Sequence, residues 1–315
     1  MSTILITGAG GYVGQLLVAA FAADAQPDER IIATDLRLPT KPVEGVDYRV
    51  MDVTQTGHEV LFAAEDVDVV VHLAAIVTPK PGDGEALAYR VDVDGTRHVL
   101  DACLAANVGK IVLTSSGAAY GYHADSAELL TEDCPLRGND AFAYSRHKRI
   151  VEEMLAEYRA EHPALAQLIF RPGTILGETV HNQITDLFEK GVMLGLSDSA
   201  TPFNFIWDAD VVAVLMAGAR GDGVGIFNLA GDGVMTLREI AHALGKPYLS
   251  VPSGIVAKGI ELAARFGRTQ YGPEQVRFLK YRPVMSNHAL KTDFGFTPRK
   301  TSREVFALYA AARHG

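Results

Sequence analysis

A doubly wound α/β sheet, followed by a smaller and mostly helical region, is the fold class this sequence predicts. Three observations predict it. Short β-branched runs alternate with longer stretches of helical period from the N-terminus to Arg171, and beyond Arg171 that alternation stops. The segment Thr7-Gly8-Ala9-Gly10-Gly11-Tyr12-Val13-Gly14 lies directly between the apolar run Ile4-Leu5-Ile6 and the helical stretch Gln15 to Phe21. Near-continuous apolar strands belong to a parallel sheet covered on both faces.

Taken in order, the strands are read at Thr3 to Thr7, Arg30 to Asp35, Asp47 to Val50, Val67 to His72, Lys110 to Ser115 and Ala166 to Arg171. Helical patterns fill Tyr12 to Ala23, His58 to Ala64, Glu85 to Ala106 and Ala141 to Glu161. After a Gly- and Pro-rich stretch, Ile226 to Leu229 returns as a strand. Further helices are read at Gln183 to Lys190, Leu237 to Leu244, Ile255 to Phe266 and Pro273 to Tyr281. This places a first domain at 1–172, with 201–232 returning to it, and a substrate-binding region at 173–200 and 233–315.

The 315 residues are 48% hydrophobic and 21% charged, with a net charge of -9 spread along the chain. No basic face advertises nucleic acid and no polybasic run advertises anionic lipid. Cys103 and Cys134 have neither metal-site nor disulfide-framework spacing. No stretch approaches the ~18 apolar residues of a membrane span, and no signal peptide pattern opens the chain, so a cytoplasmic location is the expectation.

Glycines between a strand and a helix let the backbone approach a pyrophosphate at the positive helix N-terminus. Gly8, Gly11, Tyr12, Val13 and Gly14 are therefore cofactor-binding candidates in a Rossmann domain. Asp35 ends the second strand about 20 positions on, where a carboxylate accepts from both ribose hydroxyls and repels a 2'-phosphate. NAD is thus preferred to NADP, although Arg37 is a cation that such a phosphate would meet. Asp52 and Val53 follow the third strand as an adenine contact. Leu73, Ala74 and Ala75 follow the fourth with the small side chains a passing cofactor requires, and His72 before them is read as packed.

These pieces, with Asp94-Gly95-Thr96, Ser115-Ser116, Tyr120-Gly121, Tyr144, Lys148 and Arg171-Pro172-Gly173, identify the chain as resembling the extended short-chain dehydrogenase/reductase superfamily. The NAD-dependent epimerase/dehydratase group within it resembles the chain over nearly its whole length. In Tyr144-Ser145-Arg146-His147-Lys148, the four-residue spacing puts Tyr144 and Lys148 on one helix face. A tyrosine of ordinary pKa, ~10, becomes a base at neutral pH when an ammonium favours its phenolate. The resemblance implies that Ser116 holds the reacting oxygen, that Tyr144 moves its proton, that Lys148 also binds the nicotinamide ribose and that Pro172 lies by the cofactor. Asp92 stands where relatives usually carry an asparagine, which puts their proton-relay water in doubt.

In the second half, Thr174 replaces a usual asparagine, and Phe203 occupies what looks like an arginine position. With Trp207, this favours an apolar substrate over a nucleotide sugar. Tyr120 and His123, after Ser116, are further substrate candidates, and Arg282 is a remaining phosphate partner. The leading expectation is an NAD-dependent oxidoreductase interconverting a secondary alcohol and a ketone on a relatively apolar small molecule. The alternatives are a UDP-sugar epimerase with tightly held NAD and a non-catalytic NAD-binding sensor or assembly protein. Relatives often pair through the two long helices, so a homodimer is expected.

Overall fold

Chain order in the computed structural model, which describes residues 2–79, 82, 84–266 and 274–314, begins as the alternation predicts. The first half runs β1 (Ser2–Thr7), α1 (Tyr12–Ala23), β2 (Glu29–Asp35), β3 (Asp47–Val50), α2 (His58–Ala64), β4 (Val69–His72), α3 (Gly84–Tyr89), a π-helical turn (Arg90–Asp94), α4 (Gly95–Ala105), β5 (Lys110–Thr114), a 3-10 turn (Gly117–Tyr120), α5 (Ala143–Glu161) and β6 (Ala166–Pro172). It continues with β7 (Thr174–Leu176), α6 (Gln183–Glu189), β8 (Met193–Leu196), β9 (Pro202–Phe203), β10 (Phe205–Trp207), α7 (Asp208–Arg220), β11 (Gly225–Leu229), β12 (Met235–Thr236), α8 (Leu237–Ala243), β13 (Tyr248–Val251), α9 (Ser253–Arg265), α10 (Glu274–Lys280), α11 (His288–Thr292) and α12 (Ser302–His314).

The main sheet has seven strands in the order β11-β6-β5-β4-β1-β2-β3, and every pairing from β6 across to β3 is parallel. Its strand order reverses between β1 and β4, the topological switch point where open parallel sheets bind ligands. In register, Thr7 faces Thr34 on one side and His72 on the other, and His72 faces Leu113. Gly8, Asp35, Leu73 and Thr114 therefore come next at the carboxyl ends of these strands, and Ser115 follows Thr114. Leu5, Ile32, Val70, Ile111 and Ile169 pack under Phe62, Val99 and Leu155 in one core cluster. Burial of that continuous apolar layer fixes which strand faces which helix.

Two compact units divide the chain. The first holds 1–116, 147–171 and 209–227, and the second holds 117–146, 172–208 and 228–315. This differs from the sequence-based division: residues 117–146, 172, 201–208 and 228–232 join the second unit. The loop that follows β5 packs there because Leu130 bonds to Val284 and Ser286 through the backbone and Gly117 lies against Met285. Three two-stranded pairings, β10 with β7, β12 with β9 and β13 with β8, also belong to the second unit. Strands this short carry too few residues to show a period of two.

The expected single helix from Glu85 to Ala106 is interrupted. Arg90–Asp94 widens into a π turn between α3 and α4, turning Asp92 and Val93 inward. In the second unit the predicted helices at Gln183, Leu237 and Ile255 are present. Of the stretch Pro273 to Tyr281, Pro273 lies outside the described residues and Glu274–Lys280 is helical. Among the described residues no helix is long and apolar enough to cross a membrane.

Candidate active site

The glycine loop is built by close approach. Gly8 has φ +69°, and a Cβ there would lie 2.6 Å from the amide nitrogen of Ala74, so only glycine lets β1 turn against the segment after β4. A Cβ on Gly14 would overlap the Gly8 carbonyl, which requires a bare backbone where α1 crosses the loop. Gly11 is the N-cap of α1; no side chain caps it, and no acidic residue sits in the first turn with Tyr12, Val13 and Gly14. Those amide groups and the helix dipole suit an anion.

Asp35 closes the loop from the side. Its carboxylate accepts from the Gly10 amide at 2.9 Å and from the Leu36 amide at 2.7 Å, while Arg37 is exposed. Asp52 accepts from the amide and hydroxyl of Thr54 at 3.0 and 2.8 Å. Burial opposes its charged form, but these hydrogen bonds prevail and hold the carboxyl below the usual range. Val53 is buried against Gly95 at the start of α4.

His72 is packed, as its strand-end position suggests. Thr96 Oγ1 donates to the Asp92 carbonyl at 2.6 Å, so it accepts from His72 Nε2–H at 3.1 Å. The lone pair on Nδ1 then accepts from Thr7 Oγ1–H at 2.7 Å. Both ring nitrogens are satisfied in the neutral form, and burial, with the nearby Lys148 charge, lowers its pKa to about 3. Thr7 Oγ1 in turn lies 3.3 and 3.4 Å from the amides of Leu73 and Ala74, which are part-buried with Ala75.

Tyr144 and Lys148 both lie on α5, one turn apart. Lys148 is buried and its Nζ donates to the Thr114 carbonyl at 3.2 Å, which brings the ammonium to the end of β5, two residues before the part-buried Ser116. Burial lowers the ammonium's pKa, whereas Asp92 and Glu152 raise it. One turn beyond Lys148, Glu152 is chelated by Arg171, with Nε at 2.8 and 3.0 Å and Nη2 at 2.6 Å, and accepts from Ser115 Oγ at 2.5 Å. Pro172 follows Arg171, buried. Sequence reasoning missed Glu152, although its i+4 spacing from Lys148 on one helix face was readable.

Ser145 has a structural partner set. Its hydroxyl donates to the Ala118 carbonyl at 2.6 Å and accepts from the Asn139 amide at 3.0 Å, tying the loop 117–142 to the start of α5.

Within the second unit, a cavity of about 600 Å³ is lined by Tyr122, His123, Arg137, Asn139, Phe142 and Phe278, among others. His123, a predicted substrate contact, is in its wall and donates Nε2–H to the Arg137 carbonyl at 2.7 Å. Tyr120 is not in that wall. It is 1% exposed and donates to Asn228 Oδ1 at 2.8 Å, a packed tyrosine with a satisfied hydroxyl.

Phe203 corrects the sequence reading. It is 0% exposed, stacked on Phe205 and edge-on to Phe188, so it has no free face for a substrate. Arg282 lies over its ring at 4.1 Å and over Phe278 at 4.7 Å, with Nη2 donating to Thr174 Oγ1 at 3.0 Å. A cation thus occupies the neighbourhood that the absent arginine had seemed to vacate. Its Nη1 is buried with no hydrogen-bond partner among the described residues, and burial lowers the guanidinium's pKa to about 10. Trp207 is half-buried, its ring covered by Arg299 and Lys300 at 4.7 and 4.8 Å. Thr174 and Arg282 are brought together; Phe203 supports them from below, and Trp207 packs elsewhere in the unit.

Among solved structures the chain is similar to MoeE5 in complex with UDP-glucuronic acid and NAD, at 21% identity and a TM-score of 0.76 over 99% of both chains. It is equally similar to a UDP-glucose 4-epimerase of Thermus thermophilus in complex with NAD, at 21% identity and a TM-score of 0.76 over 99% of both chains. An L-arabinose 1-dehydrogenase (NAD(P)(+)) of Haloferax volcanii is 29% identical over 187 residues, 56% of this chain and 68% of that protein. The two structural likenesses establish the fold. The model of one family, described as the NAD dependent epimerase/dehydratase family, matches residues 4–223, and the chain belongs to that family.

Proposed function

We propose that the chain is an NAD-dependent oxidoreductase that interconverts a secondary alcohol and a ketone on a small molecule bearing an anionic group. Asp35, hydrogen-bonded to the glycine loop, and the uncapped start of α1 fit a dinucleotide whose 2'-hydroxyl is free. When bound, NAD supplies the acceptor for hydride and can return it. Tyr144 takes the alcohol proton, because the Lys148 ammonium one turn away favours the phenolate. Ser116 donates to the reacting oxygen and fixes which carbon faces the cofactor. A homodimer with a small-molecule substrate remains part of this reading.

The observation that carries the substrate reading is Arg282. A guanidinium between two aromatic rings, with a buried Nη1 from which no group among the described residues accepts, is matched by a phosphate or carboxylate. This replaces the expectation of a relatively apolar substrate, which rested in part on Phe203 facing it. The same observation favours a second reading, a nucleoside-diphosphate sugar turned over without net loss of NAD. UDP-glucuronic acid and the substrate of a UDP-glucose 4-epimerase are such ligands of the similar proteins.

Thermal unfolding in the presence of UDP, UDP-glucose, UDP-glucuronic acid or apolar secondary alcohols tests both. A ligand at 100 times its Kd stabilises by about 2.7 kcal/mol. Stabilisation by the UDP compounds with epimer formed and no NADH supports the second reading. NADH formation from an anionic alcohol supports the first. NADH formation from uncharged apolar alcohols alone contradicts the assignment of Arg282.

A further inference from the structure

Behind Lys148 lies a buried polar cluster that the roles of Ser116, Tyr144 and Lys148 do not use. Asp92, 2% exposed in the π turn, extends one carboxylate oxygen to each of two elements. Oδ1 accepts from the Ile76 amide at 2.8 Å, and Oδ2 lies 3.1 Å from His147 Nδ1. His147 is 0% exposed and meets the edge of Tyr89, with ring centroids 5.4 Å apart. Because a carboxylate oxygen accepts, Nδ1 carries a hydrogen, and in the neutral ring Nε2 then carries the lone pair. That Nε2 is buried with no hydrogen-bond partner among the described residues. A buried nitrogen left bare is an acceptor without a donor, a smaller cost than an orphaned N–H there. The tautomer is therefore dictated by Asp92.

The next residue is Lys148. The charged and titratable groups that act electrostatically on its ammonium are Asp92 from the π turn, Glu152 from its own helix and His72 from β4, with Tyr144 one turn back on α5. His72 is neutral in its two hydrogen bonds, and Glu152 is held by Arg171. Asp92 has only an amide and an imidazole as hydrogen-bond partners among the described residues, so its charge is the one not already matched by a permanent cation. Through Ile76 the same carboxylate also fixes the segment after β4 that packs on Gly8.

We propose that Asp92 and His147 form a positioning dyad for Lys148, in which His147 Nδ1–H aims the carboxylate and the carboxylate keeps the lysine charged beside Tyr144. Neither residue touches substrate. The proposal rests on the reading of Tyr144 and Lys148 given above. Its consequence is directional: without the Asp92 charge the buried ammonium loses its proton at lower pH, and the phenolate of Tyr144 loses its stabilising neighbour.

The test uses D92N, H147L and H147N in the full chain. For D92N, the alkaline limb of the kcat profile moves to lower pH by about one unit, the low end for the loss of an opposite charge. H147L moves it the same way by less. H147N, whose amide N–H replaces Nδ1–H, restores the wild-type limb. Independently of turnover, 1H–15N correlation of the ring nitrogens finds His147 as the Nδ1–H tautomer in the wild type and as Nε2–H in D92N, where the asparagine side chain can donate. An unshifted alkaline limb in D92N, or an Nε2–H tautomer in the wild type, overturns the dyad. If no substrate gives hydride transfer, the reading of Tyr144 and Lys148 fails. The dyad is then judged on the tautomer, Nδ1–H supporting it and Nε2–H overturning it.

Discussion

The Glu152 carboxylate receives three hydrogen bonds from Arg171 at 2.6 to 3.0 Å, and both residues are almost completely buried, one on α5 and the other on β6. Their bidentate geometry ties the helix that carries Tyr144 and Lys148 to the central sheet. An ion pair in such a place costs desolvation, and it is the loss of one partner that exposes the cost.

E152A leaves a buried guanidinium without its anion and is expected to destabilise the chain by about 3 to 5 kcal/mol, read by urea unfolding. The double variant E152L/R171M removes both charges and should recover most of that loss. A single variant as stable as the wild type would show that the pair does not hold α5 to β6.

The glycine loop makes a sharper demand. A methyl group at position 14 would fall on the Gly8 carbonyl, so G14A has to shift backbone rather than a flexible side-chain end. A loss of about 2 kcal/mol or more in stability is expected, with weakened NAD binding by calorimetric titration. Unchanged NAD affinity in a folded G14A would argue against a cofactor seated on this loop.

Acid weakens the folded state through His72. Its folded pKa of about 3 lies below the ordinary histidine value, so between pH 6.5 and 3 the unfolded chain binds a proton that the folded one does not. This contribution is complete above about pH 6.5 and is lost as pH falls through that window, the loss reaching about 2 kcal/mol by pH 5. Denaturant unfolding at pH 7.5 and pH 5 measures it. In H72N, where the ring no longer titrates, the difference between the two pH values should shrink by that amount.

Arg282 separates substrate recognition from chemistry. R282M keeps an unbranched chain between Phe203 and Phe278 but removes the charge, so KM for an anionic substrate should rise by roughly 10- to 100-fold, as for a lost charged hydrogen bond. NAD affinity should not change. Equal KM values in R282M and wild type would remove Arg282 from the binding site.

Legibility in the sequence followed the length and regularity of each element. The parallel strands and the glycine loop were readable because buried parallel strands are near-continuous apolar runs and because Gly8 and Gly14 sit where a backbone must pass bare. The π turn at Arg90–Asp94 was not, since helical periodicity reads through a one-residue widening that only tertiary packing around Asp92 requires. Phe203 shows a different failure. An aromatic residue at an expected arginine position looked like a substrate contact, yet it supports an arginine from far along the chain, Arg282, and no local spacing reports that. Asp92 and His147, 55 residues apart, were individually conspicuous, but their hydrogen bond depends on how the π turn meets α5.

Hydride transfer in Y144F tests the central claim most directly. With the substrate found by the ligand screen, kcat should fall by about 10²- to 10⁴-fold, the usual share of a positioned acid–base group, while NAD affinity measured by titration stays within about twofold of the wild type. Turnover retained at the wild-type rate in Y144F would contradict the account.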